Sequence, residues 1–250
     1  MQPLVSIITP CYNSSRYIAE SISSVIKQTY SNWELLVVDD KSTDDSKEII
    51  LSFSREEKRI RPFFLDHNIG PSNARNFGIK NSRGRYIAFL DADDIWFSNK
   101  LTDQLLFMQN NDIAFSYTSY QRISEDGLIK YNTIKAPKYM SYSSYLKNTI
   151  IGCLTVMIDK NKTGSFLMPD ISSSHDMALW LLIMRRGFKA YGLDKNLALY
   201  RITSNSNTSN KIKSIIDVWR VYRNIEQLNL VYSLWCFLNY LFHAIKKRVL

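Results

Sequence analysis

The apolar positions of the first ninety residues follow two alternating rhythms. "LVSIIT" (residues 4–9) is a short β-branched run, which predicts a buried strand. "PCYNSS" breaks it. After Ser14 and Ser15, Ile18, Ile22, Val25 and Ile26 recur at helical spacing. "WELLVVDD" (33–40) predicts a second strand that ends in carboxylates. Ser42 with Asp45 makes a capping-box pattern for a helix through about residue 54. "RPFFL" (61–65) reads as a third strand and "GPSNARNFGIKNSRG" (70–84) as a helix stopped by Gly84. "RYIAFLDADD" (85–94) reads as a fourth strand.

This alternation predicts an α/β fold, a mostly parallel central sheet flanked by helices. Ligands of such sheets bind beyond the carboxyl ends of the strands. Three of the four strands end there in "PCYN", "DDKSTD" and "DADD".

The second half is more mixed. Residues 101–111 read as a helix, 112–123 and 128–134 as strands joined through "SEDG", and "YSSYLKN" as a short helix. Residues 154–160 follow as a strand, and 175–187 as a helix ended by Gly187. "LALYRIT" is a last strand, "SNSNTSN" (204–210) a mobile polar linker, and the remainder helical. A boundary near residue 210 separates 1–210 from a tail, 211–250.

Composition narrows the class. At 45% hydrophobic and 22% charged, the 250 residues can build a sizeable core. Cys11, Cys153 and Cys236 are odd in number and lack CxxC spacing. This favours a reducing compartment over a disulfide framework or zinc site. The N-terminus lacks the basic region and cleavage-like site of a secretory signal. There is no GxGxxG after the first strand, no P-loop and no GxSxG elbow, and the three histidines are scattered. Net charge is +9, of which the tail carries +5, with seven Lys/Arg against two acids. That balance suggests an anionic partner, nucleic acid or a membrane surface.

"FLDADDIW" (89–96) ends an apolar strand in three acids within four positions. Burying unpaired carboxylates is costly. Either they face water in a turn that leads to a helix near Ser98, or they hold something positive. Asp91 and Asp93 would share a face on a regular strand, and hard oxygens of this kind suit Mg²⁺ or Mn²⁺. Asp94 reads as the polar start of the turn. Elsewhere, Tyr12 could stack on a base whose imide N–H the neighbouring Asp40 carboxylate accepts, or the two could be a turn tyrosine and a capping aspartate. Arg75 could meet a diphosphate or form a surface salt bridge. Asp176 stands alone at a helix start just before an apolar face, where it reads as an N-terminal charge on the helix dipole.

Together "VSIITPCYN", "SISSVIKQTYSNWELLVVDDKSTDDS", "GPSNARNFGI", "RYIAFLDADDIW" and "HDMALW" resemble the inverting, GT-A-fold glycosyltransferases of family 2, especially bacterial surface-polysaccharide and O-antigen types. The resemblance spans about residues 4–203. It implies a nucleotide-sugar half (1–97) and an acceptor half (98–210). It implies that Pro10, Tyr12 and Asp40, supported by Asp39, surround the uracil of a UDP-sugar. Arg75 lies near the diphosphate, Asp91 toward ribose or metal, and Asp93 is the main ligand of Mn²⁺ or Mg²⁺. Asp176 is the general base, and His175 and Trp180 stand on the acceptor side. The family usually has Glu-Asp where this chain has His175-Asp176, which leaves the base in place but not the acid before it.

The implied reaction moves a hexose or N-acetylhexosamine onto a saccharide, on a polyprenyl diphosphate, at the cytoplasmic face of the inner membrane. A nucleotidyltransferase or a non-catalytic nucleotide-sugar binding module are the alternatives. In the tail, residues 228–245 hold no charged residue. Asn229, Ser233, Tyr240 and His243 fall near one helical stripe, which suits a packed or interfacial helix better than a spanning one. Nucleic acid explains the charge but not this apolar run.

Overall fold

A computed structural model describes residues 2–171, 173–203 and 211–249, so the linker expected at 204–210 lies outside the described residues. Strands β1 (Val5–Cys11), β2 (Trp33–Asp39), β3 (Ile60–Phe64) and β4 (Tyr86–Phe89) alternate with helices α1 (Ile18–Ile26), α2 (Ser46–Glu56) and α3 (Pro71–Asn81). Then come β5 (Ile95–Trp96), α4 (Lys100–Asn110), β6 (Phe115–Ile123), β7 (Lys130–Ile134), β8 (Tyr139–Met140) and α5 (Tyr142–Tyr145). β9 (Met157–Asp159), α6 (Lys160–Thr163), α7 (His175–Arg185) and β10 (Ala190–Arg201) complete the sheet-bearing part. α8 (Lys211–Arg220), a π-helical turn (Val221–Ile225) and α9 (Leu230–Val249) form the tail.

The sheet runs β3-β2-β1-β4-β9-β6-β10-β5, with β7 on β6 and β8 on β10. β3, β2, β1 and β4 are parallel, while β9 is antiparallel to both β4 and β6. The chain winds outward from β1 through β2 to β3, then returns to place β4 on the other side. The switch point between β1 and β4 opens a crevice at their carboxyl ends.

Side chains alternate across the sheet, and every second one feeds a different core. Ile7, Leu35, Val37 and Ala88 pack with Ile18, Ile22 and Val25 of α1, Ile50 of α2 and Leu101 of α4. Ile8, Leu36, Ile87 and Phe89 pack with Ile79 of α3, with α7, and with Val218, Tyr222 and Cys236 of the tail. The tail therefore shares a core with the residues before 210.

Several boundaries differ from the sequence expectation, each for a local reason. β4 stops at Phe89, so 90–94 form a turn and the strand argument for Asp91 and Asp93 does not apply. The Ser42–Asp45 capping box does not form. Ser42 instead donates its backbone N–H and its hydroxyl to Asp39, at 3.1 and 2.5 Å. α3 ends at Asn81, and Gly84 is not its stop but a close approach, where a Cβ would lie 2.6 Å from Ser6 Oγ. β10 begins at Ala190, seven residues before "LALYRIT", because register shifts around Asn196 put Asp194 and Lys195 in an exposed bulge that hides the alternation.

α3 is seated directly on β1. A Cβ on Gly78 would stand 2.6 Å from Ile8 Cγ2 and 3.5 Å from Val38 Cγ2. Gly78→Ala is expected to lift α3 off the sheet and cost about 1–3 kcal/mol in urea unfolding. Unchanged stability would mean that the helix is not held by this contact.

Candidate active site

Two loops meet beyond the carboxyl ends of β1 and β2. Asp40 N–H donates to the Cys11 carbonyl at 2.8 Å. Asn13, with φ 48°, donates its N–H to Ser42 Oγ at 2.9 Å and accepts the Thr43 N–H at 2.8 Å. Ser14 and Ser15 N–H groups reach Ser46 Oγ and Asp44 Oδ2, both at 2.9 Å. This stitching leaves Tyr12 52% exposed at the rim, while Asp39 and Asp40 are buried beneath it and Pro10 lies at the end of β1. Asp40 accepts the N–H groups of Ile69 and Gly70, at 2.7 and 2.8 Å, and so fixes the entry to α3.

Arg75 is the centre of the crevice. It is 6% exposed, and its guanidinium donates to Asp91 Oδ1 from Nη2 and to His175 Nε2 from Nη1, the latter at 2.7 Å. It is thus a buried bridge from α3 to the turn after β4 and to the start of α7, not a surface salt bridge. Burial opposes its charge, but the Asp91 carboxylate outweighs that and raises the guanidinium's pKa. An arginine only donates, so His175 Nε2 must be the acceptor and the ring is neutral. Burial, then the charge of Arg75, lower the His175 pKa to about 4. Two neighbours on α3 complete the join. Asn76 exchanges hydrogen bonds with both backbone groups of Met168, at 2.8 and 2.7 Å, and Asn73 donates to Asp170 at 3.0 Å.

The acids after β4 separate by environment. Asp91 is partly exposed and faces Arg75. Burial, then the charge of Asp91, push the Asp93 carboxyl up to about 6. Asp94 does not sit at a wet turn, as the sequence suggested, but is 1% exposed. Its Oδ1 accepts the Arg201 backbone N–H at 2.9 Å, and its Oδ2 has no partner among the described residues. Burial, then Asp93 and Asp91, raise its pKa well above the usual range. Arg201, which sequence reasoning missed, holds this turn. Its Nε donates to the Asp93 carbonyl and its Nη1 to the Glu125 carbonyl, both at 2.9 Å, and its Nη2 meets Glu20 at 2.5 Å. Its signal in the sequence was weak: one arginine near the end of an apolar strand.

On α7, Asp176 is half-buried in the first turn and accepts the N–H of Met177 at 2.8 Å. Ser174, at φ 58°, turns the chain into this helix. The two side chains expected on the acceptor side are instead packed inward. Trp180 has no exposure and lies against Phe89 and Phe115, at ring-centroid distances of 5.6 and 5.4 Å, because its helical position faces the core. His175 is 7% exposed because it is committed to Arg75.

Among the described residues no group of three or more His, Cys, Asp or Glu could hold a metal ion alone. The Asp91–Asp93 pair nevertheless fits one. It offers hard oxygens, and the crowding that raises Asp93 is what a cation would relieve. A pair alone also suits Mg²⁺ or Mn²⁺, which keep positions for substrate phosphates and water.

Comparison with known proteins identifies the family and the fold. A family model described as Glycosyl transferase family 2 matches residues 6–167. The chain is 45% identical over 248 residues, 99% of its length and 98% of the relative's, to the putative teichuronic acid biosynthesis glycosyltransferase TuaG of Bacillus subtilis (strain 168). It is 40% identical over 246 residues, 98% of this chain and 95% of the relative, to the Escherichia coli UDP-Glc:alpha-D-GlcNAc-diphosphoundecaprenol beta-1,3-glucosyltransferase WfgD. Among solved structures, S. aureus TarS 1–349 in complex with UDP-GlcNAc matches at TM-score 0.72 and 21% identity, over 95% of this chain and 71% of that one. The mannosyltransferase PcManGT of Pyrobaculum calidifontis, in complex with GDP-Man and Mn²⁺, matches at TM-score 0.71 and 16% identity, over 92% and 66%. These two share the GT-A fold. The chain belongs to glycosyl transferase family 2 and is a glycosyltransferase.

Proposed function

We propose that this glycosyltransferase moves a hexose or N-acetylhexosamine from a UDP-sugar to a saccharide on a polyprenyl diphosphate, with inversion, so that an α-linked donor gives a β-glycoside. One observation carries the reading. Arg75 is buried between Asp91 of the acidic turn and the first residue of α7, which brings a guanidinium and the Asp176 carboxylate to one crevice. The activity for which WfgD is named supports UDP-glucose as the first donor to test and a GlcNAc-diphospholipid as the first acceptor. The free, buried Cys11, Cys153 and Cys236 suit the reducing, cytoplasmic side of a membrane.

In this reading Tyr12 stacks on the uracil at the rim, with Pro10 forming the floor of the loop. Asp39 holds Ser42 and so shapes the loop around the base. Each Asp40 oxygen already accepts one N–H. A carboxylate oxygen has two lone-pair sites, so the imide N–H of the base still finds an acceptor. Arg75 lies toward the diphosphate and Asp91 toward the ribose or metal. Asp93 and Asp91 would hold Mn²⁺ or Mg²⁺, which supplies charge stabilisation to the departing diphosphate.

Asp176 takes the proton from the acceptor hydroxyl as its oxygen attacks the anomeric carbon. Attack comes from the face opposite UDP, and no covalent enzyme intermediate is needed. His175 accepts from Arg75 without adding a negative charge. The arginine therefore pairs directly with a single carboxylate and in this reading keeps part of its charge for the donor.

Asp176→Asn is expected to lower turnover about 10²–10⁴-fold while UDP affinity by calorimetry stays within about threefold. Wild-type-like turnover would remove Asp176 as the base. Chelator should stop transfer from UDP-glucose to a GlcNAc-diphospholipid analogue, and Mn²⁺ or Mg²⁺ should restore it. Chelator-insensitive transfer would end the role assigned to Asp93.

His175→Gln keeps a neutral acceptor and should hold the donor KM within about threefold, whereas His175→Leu, losing one hydrogen bond to a charged group, should raise it about tenfold or more. Equal effects in both variants would deny His175 this role. His175 also bears on stability. Its folded pKa lies below the unfolded value, so its contribution is present above pH ~6.5 and is lost as pH falls toward about 4. Urea unfolding of His175→Gln should therefore lose less stability over that window than the wild type.

A further inference from the structure

α9 is built the wrong way round for a helix that only caps a soluble domain. Its inward face carries Ser233 and Cys236, both fully buried, with Ser233 Oγ donating to the Asn229 carbonyl at 2.8 Å. Phe237 stacks edge-on against Trp219 of α8 at 5.3 Å. Of the polar stripe noted in the sequence, Ser233 turns fully inward and Tyr240 and His243 are half-buried, while Asn229 at the start of the helix is exposed. The outward face is apolar: Leu230, Val231, Leu234, Trp235, Leu238 and Phe242 are each 47–79% exposed. At 3.6 residues per turn these six positions fall within an arc of about 140°. Exposed apolar surface of that extent marks an interaction site rather than a solvated one.

Charge identifies the partner. The tail has two acids, and both are spent internally. Asp217 is buried and accepts from Ser173 Oγ and from Arg220. Glu226 is 7% exposed and accepts from the Tyr142 hydroxyl at 2.6 Å, with Arg185 at 3.6 Å. What remains is basic, and Lys246, Lys247 and Arg248 follow the apolar stripe on the last turns of α9. No helix among the described residues is long and apolar enough to cross a membrane. A strongly apolar face with basic residues at its end is the pattern of a helix lying in the headgroup region.

We propose that the outer face of α9 docks on an anionic phospholipid bilayer, with Trp235, Leu238 and Phe242 in the acyl boundary and the basic cluster on the headgroups. Docking of this kind is independent of the donor-site assignments, because it uses none of those residues.

The test is co-sedimentation of the full chain with vesicles of equal parts phosphatidylglycerol and phosphatidylethanolamine, against vesicles of phosphatidylcholine alone. Neither contains acceptor or nucleotide sugar, so the outcome is separate from that of the transfer assays. Wild type should bind the anionic vesicles and bind phosphatidylcholine weakly. Replacing Lys246, Lys247 and Arg248 by alanine together should weaken binding about 100-fold, at roughly 1 kcal/mol per basic residue. Trp235→Ser with Leu238→Ser should abolish sedimentation with an unchanged melting temperature, and Phe242→Ser alone serves if that pair misfolds. Failure of the wild type to bind would overturn the proposal. So would a dimer, seen by light scattering, that the Trp235/Leu238 change dissolves, since the face would then belong to a second copy.

Discussion

A guanidinium removed from water needs partners for its charge, and the crevice of this protein is organised around one, bonded through Nη1 and Nη2 while its Nε has no partner among the described residues. Arg75 stands on α3, which is pressed onto β1 through Gly78. From there it reaches the acidic turn after β4 and the first residue of α7. Leaving a buried charge without its partners costs several kcal/mol. The three elements are therefore held in one arrangement. Asn73 and Asn76 fasten the same helix to the segment before α7, so the register of α3 and the position of Asp176 are set together.

The parallel half of the fold was legible because its signals are local. Short β-branched runs, helical spacing after Ser14 and polar strand ends at "PCYN", "DDKS" and "DADD" each depend on a few neighbouring residues. The family motifs were legible for the same reason. What stayed hidden depends on partners distant in sequence. Arg201 serves the acidic turn from 107 residues beyond Asp94, and its sequence neighbours say nothing of that contact. Asp94 reads as a wet turn residue until β10 arrives to cover it. Trp180 shows helical spacing whether it faces core or crevice, and only the packing of Phe89 and Phe115 decides. The first half of β10 is hidden in the sequence by a bulge that breaks its alternation.

The tail illustrates the same limit from the other side. Its lack of charge between residues 228 and 245 was plain, but the direction of its two faces was not. Once Ser233 and Cys236 are known to face the core, the leucines and aromatic residues are left outward by geometry. The tail also shares its core with α7, through Val218, Tyr222 and Cys236.

The depth of Arg75 has a consequence for how the protein answers to salt. Mobile ions weaken interactions between exposed charges more than about a Debye length apart, and act far less on buried pairs. Lys246, Lys247 and Arg248 close a helix with an outward apolar face, whereas Arg75 is covered by α3, α7 and the acidic turn. Under the two roles proposed above, ionic strength would pull them apart: added salt would weaken attachment through the basic tail, while the buried pairing of Arg75 with Asp91 stays nearly constant.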